Sequence, residues 1–270
     1  MIRDVALGQF IPGKGVVHRA DPRVKIILLI AFIVLIFCAF NFVSLGLITA
    51  AVFVTVLLSD VPLKLYFKSL KVIIVIVIIT SLLNMFYGTG APIWQFGIIR
   101  ITMSGIYRAL FVSVRIVLLI LISSSLTFTT SPTDLTDAIE RLMKPLKVFH
   151  IKVHEIAMMM TIALRFVPTL LEETDKIMSA QKARGADMES GGLIKKVKAM
   201  TPVLIPLFVS AFRRAYDLAM AMECRCYQGG DGRTRMKSLH IGKLDVFCII
   251  FSVLILTGVV LCDIFIPPII

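Results

Sequence analysis

The feature that most constrains this chain is an apolar run from Ile26 to Leu58, 33 residues without one charged side chain. One crossing of a bilayer core takes about 20 residues, so the run is too long for one span and suits two short ones. Asn41 to Gly46 is the expected turn between them. Further apolar runs cover roughly Val72 to Tyr87, Ile106 to Phe128 and Val246 to Ile266. With 58% hydrophobic residues and a mean hydropathy of +0.92, the chain is too apolar for an ordinary soluble domain. The expected fold is all-α: a polytopic membrane protein of about five transmembrane helices, plus about three helices outside the membrane. Residues 1–128 form an N-terminal membrane region of four spans, 129–245 the outside segment, and 246–270 a last span. Residues 1 to 20 are polar and broken by Gly and Pro, so no cleavable signal peptide is expected.

The net charge is +12. Such an excess suits a nucleic-acid binder or a membrane protein with cationic cytoplasmic loops. The distribution decides for the second. Residues 1–25, 59–71 and 129–245 together hold 26 of the 29 Lys and Arg, whereas the loop at 88–105 holds only Arg100. The basic side is read as cytoplasmic, with the N-terminus inside, and Trp94 as an anchor at the opposite interface. The cations lack the interleaved aromatics of a nucleic-acid platform, so no nucleic-acid partner is expected. Cys38, Cys248 and Cys262 sit in apolar runs as small hydrophobes, and Cys224 and Cys226 are expected to be reduced.

The 129–245 segment is organised as helices. Ser131 before Pro132 is an N-cap followed by Pro at the first helical position, and Lys144-Pro145 stops that helix. A second run starts near Val153, passes Pro168 with an expected kink, and ends at Gly185. Gly191-Gly192 reads as a hinge. A third run is expected from just after Pro202 to Gly229-Gly230. On this third run Ala211, Ala215 and Ala219 recur every four residues, with Phe208, Leu218 and Met222 close by. Small residues at that spacing allow tight helix crossing. The second run carries Met158, Met159, Met160 and Phe166, an adaptable apolar surface. These groups read either as core packing or as a seat for a membrane partner.

Two arginine signals end the long runs. Ala183-Arg184-Gly185 and Cys224-Arg225-Cys226 each set one Arg between small residues, which lets a partner approach the backbone while the guanidinium fork pairs with a carboxylate. Two similar plugs suggest a partner that is itself a pair.

Other constellations fail on their chemistry. Gly8 to Gly15 nearly spells a phosphate loop, but Gly15 stands where Ser or Thr must hold the metal, and no strand precedes it. His150 and His154 are four apart, without a third ligand at useful spacing. Cys224 and Cys226 lack a second pair. Arg115 lies inside the fourth span, where a charge is costly and must find backbone carbonyls or a facing polar group; Asp263 is a candidate partner. No nucleophile–base set or acidic metal cluster is present, so no enzyme activity is expected.

Four pieces in order resemble the transmembrane T component of energy-coupling factor (ECF) transporters, the CbiQ-like family. They are His18-Arg19-Ala20-Asp21-Pro22-Arg23-Val24-Lys25, Thr129-Thr130-Ser131-Pro132, Ala183-Arg184-Gly185, and Glu223 to Arg235, and they span essentially the whole chain. The resemblance implies a bacterial plasma-membrane subunit that is not itself catalytic. Its partners would be two ABC ATPase subunits, which carry the ATP and magnesium, and a membrane S component that binds a vitamin or metal ion; no cofactor would sit on this chain. Arg184 and Arg225 would dock into grooves of the ATPases. Cys224 and Cys226 depart from the Ala and Gly of that pattern, and because Cys accepts a positive φ poorly, Gly229-Gly230 is the alternative helix end. A conventional ABC permease with its own substrate path is the other reading; the few polar residues in the spans, Arg115, Asn84 and some hydroxyls, would make a poor pathway and argue against it.

Overall fold

The computed structural model describes residues 10–86, 92–96, 99–186, 192–230 and 240–266. Gly8, Gly191, Arg235 and Pro267-Pro268 lie outside them. Among the described residues the regular elements are helices, apart from a two-stranded antiparallel ribbon, β1 (Pro92–Phe96) with β2 (Ile99–Thr102), in the loop between the third and fourth spans. Two compact units emerge. One joins Gly8–Ala138 to Lys237–Ile270, so the last span belongs with the first four; the other centres on Ile139–Met236.

The first unit contains α1 (Val16–Arg19), α2 (Pro22–Cys38), α3 (Phe42–Leu58), α4 (Leu63–Phe86), α5 (Met103–Thr129) and α9 (Lys243–Phe265). Apolar sequence in lipid has no water to satisfy its amides, so it closes them within helices. The turn of the first run is Ala39–Asn41, earlier than expected: Asn41 is the N-cap position of α3, and Gly46 is helical. At 17 residues each, α2 and α3 are about 25 Å long. Helices α4, α5 and α9, with 24, 27 and 23 residues, are long and apolar enough to cross a membrane, and so is α7 below.

Helix α5 is the centre of this unit, packed against α2, α3 and α4, while α9 packs on α3 and α2. Phe32, Ile36, Ile48, Val52, Phe111, Leu118 and Phe128 form the buried cluster. Phe111 meets Phe42 edge-on at 5.5 Å, and Tyr66 meets Phe128 at 5.3 Å. The outer faces stay apolar and exposed, as on α4 at Val72, Val75 and Ile78, which suits lipid contact.

Polar side chains tie both ends of this bundle. At one end Lys25, buried, donates through Nζ to the Thr129 carbonyl oxygen at 3.0 Å and to Thr130 Oγ1 at 3.2 Å. Asp21 caps α2 by accepting from the Arg23 amide, and its own amide donates to Asp245 Oδ1 at 2.6 Å. The other carboxylate oxygen of Asp245 accepts from Gly242 N at the start of α9. At the opposite end Asp263 accepts from Ser44 Oγ at 2.6 Å and Asn41 Nδ2 at 3.2 Å. Asp263 is therefore not the partner of Arg115. Arg115 Nη2 donates to the Ala39 carbonyl oxygen at 2.7 Å, and its guanidinium lies 4.8 Å from the Phe111 ring centre. A carbonyl freed at the end of α2 is a good acceptor for a charge that lipid cannot solvate.

Helix α6 (Pro132–Leu142) opens as expected, with Ser131 Oγ accepting from Asp134 N at 3.1 Å. A 3₁₀ turn, Lys144–Phe149, follows and ends at His150 with φ 59°. The second unit is dominated by α7 (Val153–Ala183) and α8 (Leu193–Cys224), packed together as a hairpin. Helix α7 continues through Pro168. Helix α8 starts at Leu193, not after Pro202, with Pro202 and Pro206 inside it. Each interior proline removes a backbone donor. The two are four apart, so the missing Pro206 donor is one that would have bonded the Pro202 carbonyl, and the lost bonds fall along one line of the helix.

Candidate functional site

The hairpin is antiparallel. Near its middle, Glu173 of α7 accepts from the Ser210 hydroxyl and the Arg214 guanidinium of α8. Ser210 and Arg214 are one turn apart, so a single carboxylate spans both. Towards one end, Gly230, beyond α8, passes so close to His154, at the start of α7, that a Cβ on Gly230 would fall 2.0 Å from the ring. His154 Nδ1 lies 3.0 Å from Glu140 Oε1, so this histidine is engaged with α6. No group of three metal-ligating side chains occurs among the described residues.

The half-buried line of α8 runs through Ser210, Ala211, Arg214, Leu218 and Met222, with Val203 buried. Ala211, Leu218 and Met222 thus lie where the sequence puts packing residues. Ala215, Ala219 and Phe208 are exposed, so the expected Ala stripe is not the contact line of this crossing; the contact face is rotated towards Ser210 and Arg214. On α7, Met158 and Phe166 are half-buried, and Met159 and Met160 are exposed. Phe208, Phe212 and Tyr216 add an uncovered aromatic strip on α8.

Both helices end in the same way. At the end of α7, Gly185 N donates to Lys182 O at 3.0 Å and Ala186 N to Gln181 O at 3.0 Å, with Gly185 at φ 86°. At the end of α8, Cys226 N donates to Glu223 O at 2.8 Å and Tyr227 N to Met222 O at 3.1 Å, with Cys226 at φ 53°. These are two Schellman terminations. Arg184 and Arg225 are the C-cap residues of the two, with φ −83° and −91°. The helix does not run on to Gly229-Gly230: Cys226 takes the left-handed position usually filled by glycine, at a cost of about 1–2 kcal/mol. Ala183, Arg184, Gly185, Cys224, Arg225 and Cys226 are all exposed. In an antiparallel pair the two C-termini lie at opposite ends. Helix α7 is 31 residues long, so Arg184 and Arg225 stand on the order of 45 Å apart.

The apolar helices of the bundle, long enough to cross a membrane and with outward faces suited to lipid, define a multi-pass membrane protein. The comparisons with known proteins agree. The family model described as cobalt transport protein, CbiQ, matches residues 13–236. The chain is 50% identical over 263 residues to the energy-coupling factor transporter transmembrane protein of Ruminiclostridium cellulolyticum, covering 97% of this chain and 98% of that one. It is 49% identical over 247 residues to the protein of the same description from Clostridium kluyveri (91% and 92% covered), and 48% over 243 residues to that of Bacillus subtilis (88% and 91%). The chain belongs to this family of energy-coupling factor transmembrane proteins. It is a transmembrane transport subunit and not an enzyme.

Proposed function

We propose that this chain couples two ATPase subunits to a substrate-binding S component in an ATP-driven importer of a vitamin or metal ion, with its N-terminus cytoplasmic. ATP and magnesium belong to the ATPases. The observation that carries the reading is the pair of matched terminations: Arg184 and Arg225 occupy the same cap position at opposite ends of one hairpin. A helix end fixed by two backbone bonds holds its cap residue at a set angle, and the exposed guanidinium suits a carboxylate groove. Two such ends match two copies of one partner. When those copies close on ATP, they draw on both ends of α7 and α8, and the hairpin passes the movement to whatever rests on Met158, Met159, Met160, Phe166 and the aromatic strip of α8.

The test is retention of the ATPases by the purified complex, alongside uptake into vesicles. Truncating one partner of an interfacial charge pair costs about 2–5 kcal/mol. Arg184→Ala or Arg225→Ala weakens coupling, and the double variant releases the ATPases or abolishes uptake. Lysine rescues poorly, because it keeps the charge and loses the fork. A double alanine variant that holds both ATPases and transports normally overturns the proposal.

A further inference from the structure

We propose that the end of the membrane bundle opposite Lys25 contains a binding site for the phosphate of an anionic phospholipid, formed by Arg108 and Arg115. A cavity of about 480 Å³ lies there, lined by Ala39, Phe40, Asn84, Arg108, Phe111 and Arg115. Both arginines come from α5, two turns apart. Arg115 spends one Nη2 proton on the Ala39 carbonyl, and its buried Nε has no hydrogen-bond partner. Arg108, half-buried, has no hydrogen bond or ion pair among the described residues. Among the described residues no carboxylate lines the cavity. Two guanidinium groups in an apolar setting with no counter-charge call for an anion, and a phosphate accepts from several guanidinium N–H groups at once.

The geometry of the helices selects a lipid. Lys25 contacts Thr129, and Ala39 contacts Arg115, so α2 and α5 run side by side over 14 residues, about 21 Å. There α2 turns into α3. Helix α5 continues for another 12 residues, about 18 Å. The α2–α3 turn is therefore a ledge below the far ends of α4 and α5. In a bilayer core of about 30 Å measured from the Lys25 end, this ledge sits roughly 9 Å short of the opposite headgroup level. A short span draws the bilayer thinner around it. Headgroups that dip onto the ledge arrive at Arg108 and Arg115.

Native mass spectrometry of the full-length, delipidated protein titrated with phosphatidylglycerol tests this. Wild type retains one phosphatidylglycerol, with about tenfold preference over phosphatidylcholine. Arg108→Gln and Arg115→Gln each weaken retention roughly tenfold. Arg115→Lys, which keeps the charge and covers the case in which the glutamine variant does not fold, gives a smaller loss. Arg165→Gln, on an exposed part of α7, leaves retention unchanged. Equal retention by wild type and Arg108→Gln overturns the proposal. Inorganic phosphate displaces the lipid poorly at equal concentration; complete displacement shows a free-anion site and overturns the lipid assignment.

Discussion

Lys25 of α2 donates to the carbonyl oxygen of Thr129 at the end of α5, 104 residues away. The contact joins two of the sequence pieces that carry the family likeness, His18 to Lys25 and Thr129 to Pro132. Through Asp21 it also reaches Asp245 at the start of α9. One ammonium thus satisfies the Thr129 carbonyl that α5 leaves open at its end, and one buried carboxylate holds the start of the last span against the start of the first.

Lys25→Met keeps the stem and removes the donor. The Thr129 carbonyl is then buried without its partner, which costs about 1–3 kcal/mol. The expected result is a lower thermal midpoint for the purified protein in detergent. An unchanged midpoint means that other donors take over the Thr129 carbonyl.

Glu173→Lys sets a cation beside Arg214 and removes the acceptor of Ser210. The hairpin should open near its middle, with faster hydrogen exchange in α7 and α8 around these residues and little change in α5. If exchange stays the same, apolar contacts alone hold the crossing.

Cys226→Gly separates two opposing effects. Glycine relieves a left-handed cost of about 1–2 kcal/mol, and it adds roughly 0.4–1 kcal/mol of unfolded-chain freedom. The relief is at least as large, so the variant should be more stable by up to about 1.6 kcal/mol, and ATPase retention should be kept. Cys226→Val should lose stability, because a β-branched side chain is strained at this φ. A glycine variant less stable than wild type would show that the thiol contributes packing.

Ala211→Leu and Ala215→Leu form a matched pair one turn apart. Ala211 is half-buried and Ala215 exposed. Leucine at 211 overpacks the hairpin and costs about 1–3 kcal/mol, whereas leucine at 215 leaves stability within about 0.5 kcal/mol. Transport lost at 215 without lost stability marks that face as a partner surface. Equal destabilisation at both positions contradicts a contact face of α8 turned towards Ser210 and Arg214.

The sequence by itself determined the all-α membrane class, the apolar spans and the helix end at Arg184-Gly185. Those features are local. An apolar run of set length, Ser131 before Pro132, or Gly185 after a helical run acts through its own few residues. The tertiary structure decided what depends on distant partners. The buried ties of Lys25 to Thr129 and of Asp21 to Asp245, the choice of Ser44 and Asn41 over Arg115 as donors to Asp263, and the clasp at Glu173 all join residues far apart in the chain. Helical periodicity says which residues neighbour one another along a helix, as Ala211, Ala215 and Ala219 do. It does not say how far the helix is rotated about its axis. The partner sets that angle, and here one carboxylate reaching both Ser210 and Arg214 turns Ala215 and Ala219 outward. The end of α8 followed the same logic in reverse: cysteine's dislike of positive φ argued for Gly229, and two backbone hydrogen bonds closing the Schellman turn outweighed it at Cys226.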